Sequence, residues 1–423
     1  MRLAIEILFG LIFFALILVS VGLHEVGHFV PGKLFKVRIL QFFIGFGKNI
    51  WKKNINGTEY GVKMIPLGGY VQLLGMYPPA KEGKNTRWKR LADSAREAEW
   101  ESITEDDIAA RHLFYQKPLW QRLIIMFCGV FMNLLLAFLL FQGVNLAYGQ
   151  PVTTTTIASV SQCVNPAPAA CVQTPAAAMG LQAGDQVVAF NGTTYDTWAD
   201  LTAAVRANGA GTDQLTVIRN GTTVELPQVQ GVIATVADPN NPNNSTGIQA
   251  GYLGVTAAEK MVPVGPIATI KQMGSMIGMS VVALVKLPVT SYHVLVGMIT
   301  GQPRDPNGPI SILGASVIAG DVASASNVPL SARVATYVQL LGSINLFVGI
   351  MNLVPLPPFD GGQIAAGIYE AIRRGWAKLR GKPDPGPADT ARLLPLTYVV
   401  TGLLIIIGAI MIIADIISPV KIF

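Results

Sequence analysis

Four long apolar runs dominate the pattern of the chain: Leu3 to Leu23, Leu119 to Tyr148, Val334 to Pro355 and Leu394 to Ile417. Each reaches the roughly 20 residues that a helix needs to cross the hydrocarbon core of a bilayer. The pattern therefore predicts four spanning helices. The first run has a rival reading as a cleaved signal peptide, because Arg2 precedes it. No small-residue cleavage site follows, and the run is longer than a typical signal core. A fifth apolar stretch, Ile267 to Gly301, is interrupted by Lys271, Lys286, Pro288 and His293. It is expected to be an interfacial amphipathic region, since a fifth crossing would reverse the direction of the span that follows.

Between the second and third runs the texture changes. Thr155-Ile157-Ser159 alternates as a strand does. Gly184-Asp185 makes a tight turn, and Asn191-Gly192 and Asn220-Gly221 are hairpin signals. Trp198 to Ala207 has helical spacing. A compact α/β domain is expected over 153–235, ending before the breaker-rich stretch 238–247. The Asn-x-Thr and Asn-x-Ser matches at Asn191, Asn220 and Asn244 are read as turn and linker chemistry. Lys81 to Gln116 mixes both signs of charge and is expected to be a solvated helix and loop. No nucleic-acid-binding fold accompanies that charge.

Composition agrees with a membrane protein. Of 423 residues 51% are hydrophobic and 13% charged, and mean hydropathy is +0.45. An ordinary soluble domain carries about 25% charged residues. The net charge of +6 matters through its distribution. Lys and Arg crowd the loop 31–118 and the loop 366–393, whereas Arg206, Arg219 and Lys260 are the basic residues between the second run and Val264. By the positive-inside rule the N-terminus lies outside, 31–118 is cytoplasmic, and 150–330 is outside. The 3 cysteines are too few for a disulfide scaffold, but Cys163 and Cys171 permit one local bridge in an oxidising compartment.

The chemistry begins at His24-Glu25-Val26-Gly27-His28, which continues directly from the first apolar run. Histidines at i and i+4 project from one helix face. Catalytic zinc takes about three protein ligands and keeps one position open for water, and a neighbouring carboxylate such as Glu25 can take that water's proton. A chance match is rare in a chain with 4 histidines, and ionisable groups at membrane depth are costly and usually functional. His112 and His293 are candidate third ligands. Asp360 is the better one. It lies in Asn352-Leu353-Val354-Pro355-Leu356-Pro357-Pro358-Phe359-Asp360-Gly361-Gly362, at the end of a span that runs in the same direction as the first.

These two motifs together resemble the site-2 protease family of intramembrane zinc metalloproteases, closest to its bacterial RseP-type branch. Gly45-Phe46-Gly47, Met64-Ile65-Pro66-Leu67-Gly68-Gly69-Tyr70-Val71, Gly129 with Asn133, and Gly308-Pro309-Ile310-Ser311 follow in the family's order. Ala176 to Gly192 resembles the signature of bacterial PDZ domains. There is room for one such domain, as in the shorter actinobacterial-type members, rather than a tandem pair.

The resemblance implies Zn2+ held by His24, His28 and Asp360, with Glu25 as general acid/base. It implies a substrate-contacting role for Asn352, whose alternative is an interhelical hydrogen bond, and for Pro355 and Pro357. It also implies a membrane-associated β-structure in which Gly68 and Gly69 border the substrate.

The expected fold is an α-helical polytopic membrane protein with about four spanning helices, membrane-associated β-structure and one extracytoplasmic α/β PDZ domain. Its expected segments are 1–30, 31–118, 119–148, 153–235, 236–330, 334–365, 366–393 and 394–418. The expected activity is intramembrane endoproteolysis in a bacterial plasma membrane, with single-span proteins such as anti-sigma factors as substrates and envelope stress signalling as the setting. The PDZ domain has two readings, peptide capture and steric screening. A metal-holding scaffold and a metal or proton transporter are the rival functions.

Overall fold

The computed structural model describes residues 2–79, 87–164, 171–237, 247–302, 304–305 and 308–420. The stretch 238–246, with Asn244, and residues 80–86 of the charged loop lie outside the described residues. Two compact units emerge, one formed by Met1–Leu146 with Gly265–Phe423, the other by Ala147–Val264.

In chain order the first unit opens with α1 (Arg2–Leu34), strands β1 (Ile39–Ile55) and β2 (Thr58–Leu73), then α2 (Arg87–Trp100), α3 (Glu105–Ala109) and α4 (Leu119–Ala147). The second unit follows with β3 (Gln150–Val160), α5 (Pro175–Ala178), β4 (Gln186–Phe190), β5 (Thr193–Thr194) and α6 (Trp198–Asn208). It continues through β6 (Thr212–Asp213), β7 (Leu215–Arg219), β8 (Thr222–Glu225), β9 (Val229–Gln230), β10 (Val232–Val236), β11 (Ile248–Tyr252) and β12 (Val255–Val262). The chain then returns to the first unit as α7 (Pro266–Thr300), α8 (Ile312–Ser324), α9 (Leu330–Asn352), α10 (Asp360–Leu379) and α11 (Leu394–Ile417).

Among the described residues five helices are long and apolar enough to cross a membrane: α1, α4, α7, α9 and α11 with its lead-in from Thr390. Four of them have directions fixed by their contacts. His28 lies against Ile125 and His24 against Asn133, so α4 runs opposite to α1. The Tyr337 hydroxyl donates to the Phe9 carbonyl, and the Asn345 amide to Ser20 Oγ, so α9 runs with α1. Arg122 near the start of α4 pairs with Glu370, which also accepts the Ala388 N–H just before α11. Thus α4 and α11 start from the same end.

The stretch 267–301 is less interrupted than its sequence suggests. It is one 35-residue helix, about 52 Å long if straight. Lys271, Lys286 and His293 all fall on its exposed surface, where single polar residues do not interrupt a helix. Yet α7 does not reverse the chain. Near its start Thr269 Oγ1 accepts the Asn145 amide at the far end of α4. Just beyond its other end, Arg304 pairs with Asp415 at the far end of α11. The chain enters and leaves α7 on the same side, and α9 descends in the direction that the metal motifs require.

The expected loop 366–393 also differs, because α10 occupies its first half. Ile368, Tyr369, Ile372 and Trp376 alternate with Arg373, Arg374 and Lys378 at helical spacing, a period that counting charges alone overlooks.

The second unit is built on a sheet in the order β12-β3-β4-β7-β8, with β5 beside β4. Ile157, Val187, Phe190, Leu201, Leu215 and Val217 form its core. The expected boundary at residue 235 falls short, since β12 pairs with β3 from Val255↔Val160 to Val262↔Gln150. Asn191 and Asn220 take φ of 50° and 52°, as hairpin turns of this kind require. Cys163 and Cys171 are disulfide-bonded.

Asp185 is buried, accepts two hydrogen bonds from Arg219 (2.8 and 2.6 Å) and one from the Gln182 N–H. These donors hold its carboxyl below the usual carboxylate range, the Arg219 contact being the largest cause. A depressed value in the folded state adds stability at neutral pH that disappears as pH falls through it. Asp185→Ala should therefore destabilise the second unit by about 2 kcal/mol at pH 7, measured by protease susceptibility against temperature. The deficit should shrink towards acid pH.

Candidate active site

Helix α1 carries His24, Glu25 and His28 on its last turns, all buried. Helix α4 must approach closely for them to be enclosed, and glycine permits this. A Cβ on Gly27 would meet the Cys128 carbonyl oxygen at 2.4 Å, and one on Gly129 would meet His28 Nε2 at 2.2 Å. Asp360 arrives at the first position of α10. The connection before it folds back so tightly that a Cβ on Gly361 would lie 2.3 Å from the Val354 carbonyl oxygen. A Cβ on Gly362 would lie 2.7 Å from Pro357 N. This explains the Gly-Gly pair after the aspartate.

The result is a triangle. His24 Nε2 and His28 Nε2 are 3.2 Å apart, and Asp360 Oδ2 lies 3.3 and 3.2 Å from them. Zinc bonds of about 2.0–2.1 Å in tetrahedral geometry put ligand atoms about 3.3 Å apart, so the triangle matches one face of such a tetrahedron. The outer ring atoms are held as well. His28 Nδ1 lies 2.8 Å from the Ile125 carbonyl oxygen, to which it donates, leaving Nε2 free as a ligand. His24 Nδ1 lies 3.2 Å from the side-chain amide of Asn133. With the Asn133 oxygen turned towards it, His24 too presents a bare Nε2. Asp360 Oδ2 is buried without a hydrogen-bond partner, and the donor set and spacing fit a bound metal ion. Among the described residues this group of three contains neither His112 nor His293.

Glu25 faces the β-structure. Residues 41–44 of β1 are flanked on both sides by β2, with Gln41 paired to Gln72 and Glu59, and Ile44 to Gly69 and Val62. Gly69 to Leu73 therefore form an outer segment of this sheet. A Cβ on Gly69 would meet Glu25 Cγ at 3.0 Å and Val21 Cγ1 at 3.4 Å. Gly68, at φ +87°, bends the strand beside the Phe46 ring. Asn352 closes α9 and is partly buried, Pro355 is exposed and Pro357 partly buried. The motif glycines and the metal-ligand residues thus converge, while Asn352, Pro355 and Pro357 line the connection leading into Asp360. Sequence reasoning missed Ile125, whose carbonyl orients His28, because a backbone group leaves no residue-type signal.

The model of peptidase family M50 matches residues 12–383. The chain belongs to peptidase family M50, the site-2 proteases. Zinc metalloprotease Rip1 of Mycolicibacterium smegmatis is 32% identical over 98% of both chains. Rip1 of Mycobacterium tuberculosis strain Erdman shows the same identity and coverage. Metalloprotease MmpA of Caulobacter vibrioides is 28% identical over 84% of this chain and 85% of its own. The M50 protein described here is accordingly a zinc metalloprotease with several membrane-crossing helices.

The helix crossing makes a direct prediction. Gly129→Ala should lose most of its zinc, measured as metal per protein after desalting, while remaining folded by circular dichroism. Gly143→Ala, with nothing within 4 Å of the added carbon, should keep native zinc content.

Proposed function

We propose that this M50 protease hydrolyses peptide bonds within or beside the transmembrane segments of single-span membrane proteins. His24, His28 and Asp360 hold the zinc and Glu25 is the general acid/base. The observation that carries this reading is the buried Glu25 side chain packed against Gly69 of the β-structure, on the same helix turn as two members of the ligand triangle.

Bound zinc supplies Lewis acidity, polarising the scissile carbonyl and acidifying a water. Glu25 takes the proton of the attacking water and delivers it to the leaving amide nitrogen. A helical substrate has its backbone hydrogen bonds satisfied internally, so its scissile carbonyl is reachable only when unwound. The outer segment Gly69–Leu73 offers backbone groups to an extended substrate segment, which would join as a further strand. Asn352, Pro355 and Pro357 border the other approach to the site and contact substrate there.

Loop charge supports a cytoplasmic position for β1, β2 and the metal site, with the second unit outside. The Ala176 to Gly192 signature supports a PDZ role for that unit, in peptide capture or screening. In a bacterial plasma membrane the substrate class is anti-sigma-factor-like regulators, cut in envelope stress signalling.

Glu25→Gln should retain one zinc per chain and abolish cleavage. Comparing membrane-protein fragments in cells carrying the native enzyme and the Glu25→Gln form tests this; persistence of the same fragments would refute the mechanism.

A further inference from the structure

The segment that follows the outer strand is held unusually firmly. Glu99, near the end of α2, accepts hydrogen bonds from three successive backbone N–H groups: Gly75 at 2.7 Å, Met76 at 2.8 Å and Tyr77 at 2.9 Å. Three consecutive amides converge on one carboxylate only where the backbone curls into a concave nest. Gly75, at φ +82°, allows that curl, and a Cβ there would strike Leu113 at 2.6 Å.

Other groups fix the segment from Leu74 to Pro78. The Leu74 N–H donates to the Arg38 carbonyl, and the Phe114 N–H to the Leu74 carbonyl. Trp100 Nε1 donates to the Tyr77 carbonyl, Arg96 Nε to the Pro78 carbonyl, and Thr390 Oγ1 to the Met76 carbonyl. Ion-assisted hydrogen bonds are the stronger kind, and Glu99 supplies three of them to a segment that begins immediately after Leu73. The chain between this anchor and Glu25 is short: a Cβ on Gly69 would meet Glu25 Cγ at 3.0 Å, and the Gly75 N–H donates to Glu99.

We infer that Glu99 is a positioning residue for proteolysis, setting the register and rigidity of Gly69–Leu73 so that the substrate strand docks in line with Glu25 and the metal triangle. This rests on the proposal that Gly69–Leu73 receives the substrate. Glu99 touches neither substrate nor metal. It acts through the backbone, so its loss should weaken substrate docking more than turnover of substrate already docked.

The test uses the full chain in lipid nanodiscs. The probe is a fluorogenic single-span peptide, selected because native enzyme cuts it and the Glu25→Gln form does not. Glu99→Ala should keep native zinc content, raise KM about tenfold and change kcat by less than about twofold. Hydrogen exchange should quicken at 69–73 as well as at 75–77. Glu99→Gln, which keeps one acceptor oxygen, should fall between the two and carries the same measurements if the alanine form loses zinc or fails to assemble.

Faster exchange confined to 75–77 with native KM would overturn the proposal, as would a fall in kcat at constant KM. An N-methylated form of the probe, which cannot pair with the outer strand, separates the two ideas. A raised KM for that form with native enzyme, beside a native KM for the unmodified probe in Glu99→Ala, sinks the role of Glu99 and keeps the docking strand. Native KM in both, with 69–73 loosened, overturns the proposal by removing the docking strand on which it rests.

Discussion

Three lone-pair-bearing atoms, two imidazole nitrogens and a carboxylate oxygen, face one another at 3.2–3.3 Å in a buried space. With neither a proton nor a metal ion among them such an arrangement is repulsive, and burial makes that repulsion costly. Holding these atoms in place is the constraint that the rest of the first unit serves. The glycine crossing of α1 and α4 brings a backbone carbonyl to His28 and an amide to His24. The parallel course of α9 delivers Asp360 from a distant part of the sequence. The connection at 353–359 fixes where α10 begins, and with it the third ligand.

Much of this is legible in the chain. HEVGH declares its chemistry because residue type and i, i+4 spacing are enough. Asp360 becomes legible through loop charge, which gives α1 and the span before Asp360 the same direction; the contacts of α9 with Phe9 and Ser20 agree. The fate of 267–301 is less legible. Hydropathy weighs Lys271, Lys286 and Pro288 as interruptions, whereas exposure on one surface and pinning at both ends are three-dimensional facts. The boundary at residue 235 falls short for a similar reason, since β12 joins the sheet through a partner about a hundred residues earlier. Glu99 is invisible as anything but one charge in a mixed run. Its partners are backbone amides, and these look alike at every position.

The charged stretch before α4 therefore serves as structure. Arg96 donates to the Pro78 carbonyl and pairs with Asp389, Arg38 pairs with Asp107, and Arg122 at the start of α4 pairs with Glu370 of α10. Arg96 and Thr390, which donates to the Met76 carbonyl, tie the segment after β2 to the connection between α10 and α11. One cluster thus anchors both the helix that begins at Asp360 and the strand beside Glu25, which links the placement of the metal to the placement of substrate.

The pairing of β3 with β12 has an evolutionary consequence. The second unit leaves the first after α4 and rejoins it before α7, and its terminal strands run side by side down to Gln150↔Val262. A module whose two ends are neighbours can be lost, exchanged or duplicated without changing the separation of the helices it interrupts. Change in the appended module therefore leaves the helices that carry the metal site in place.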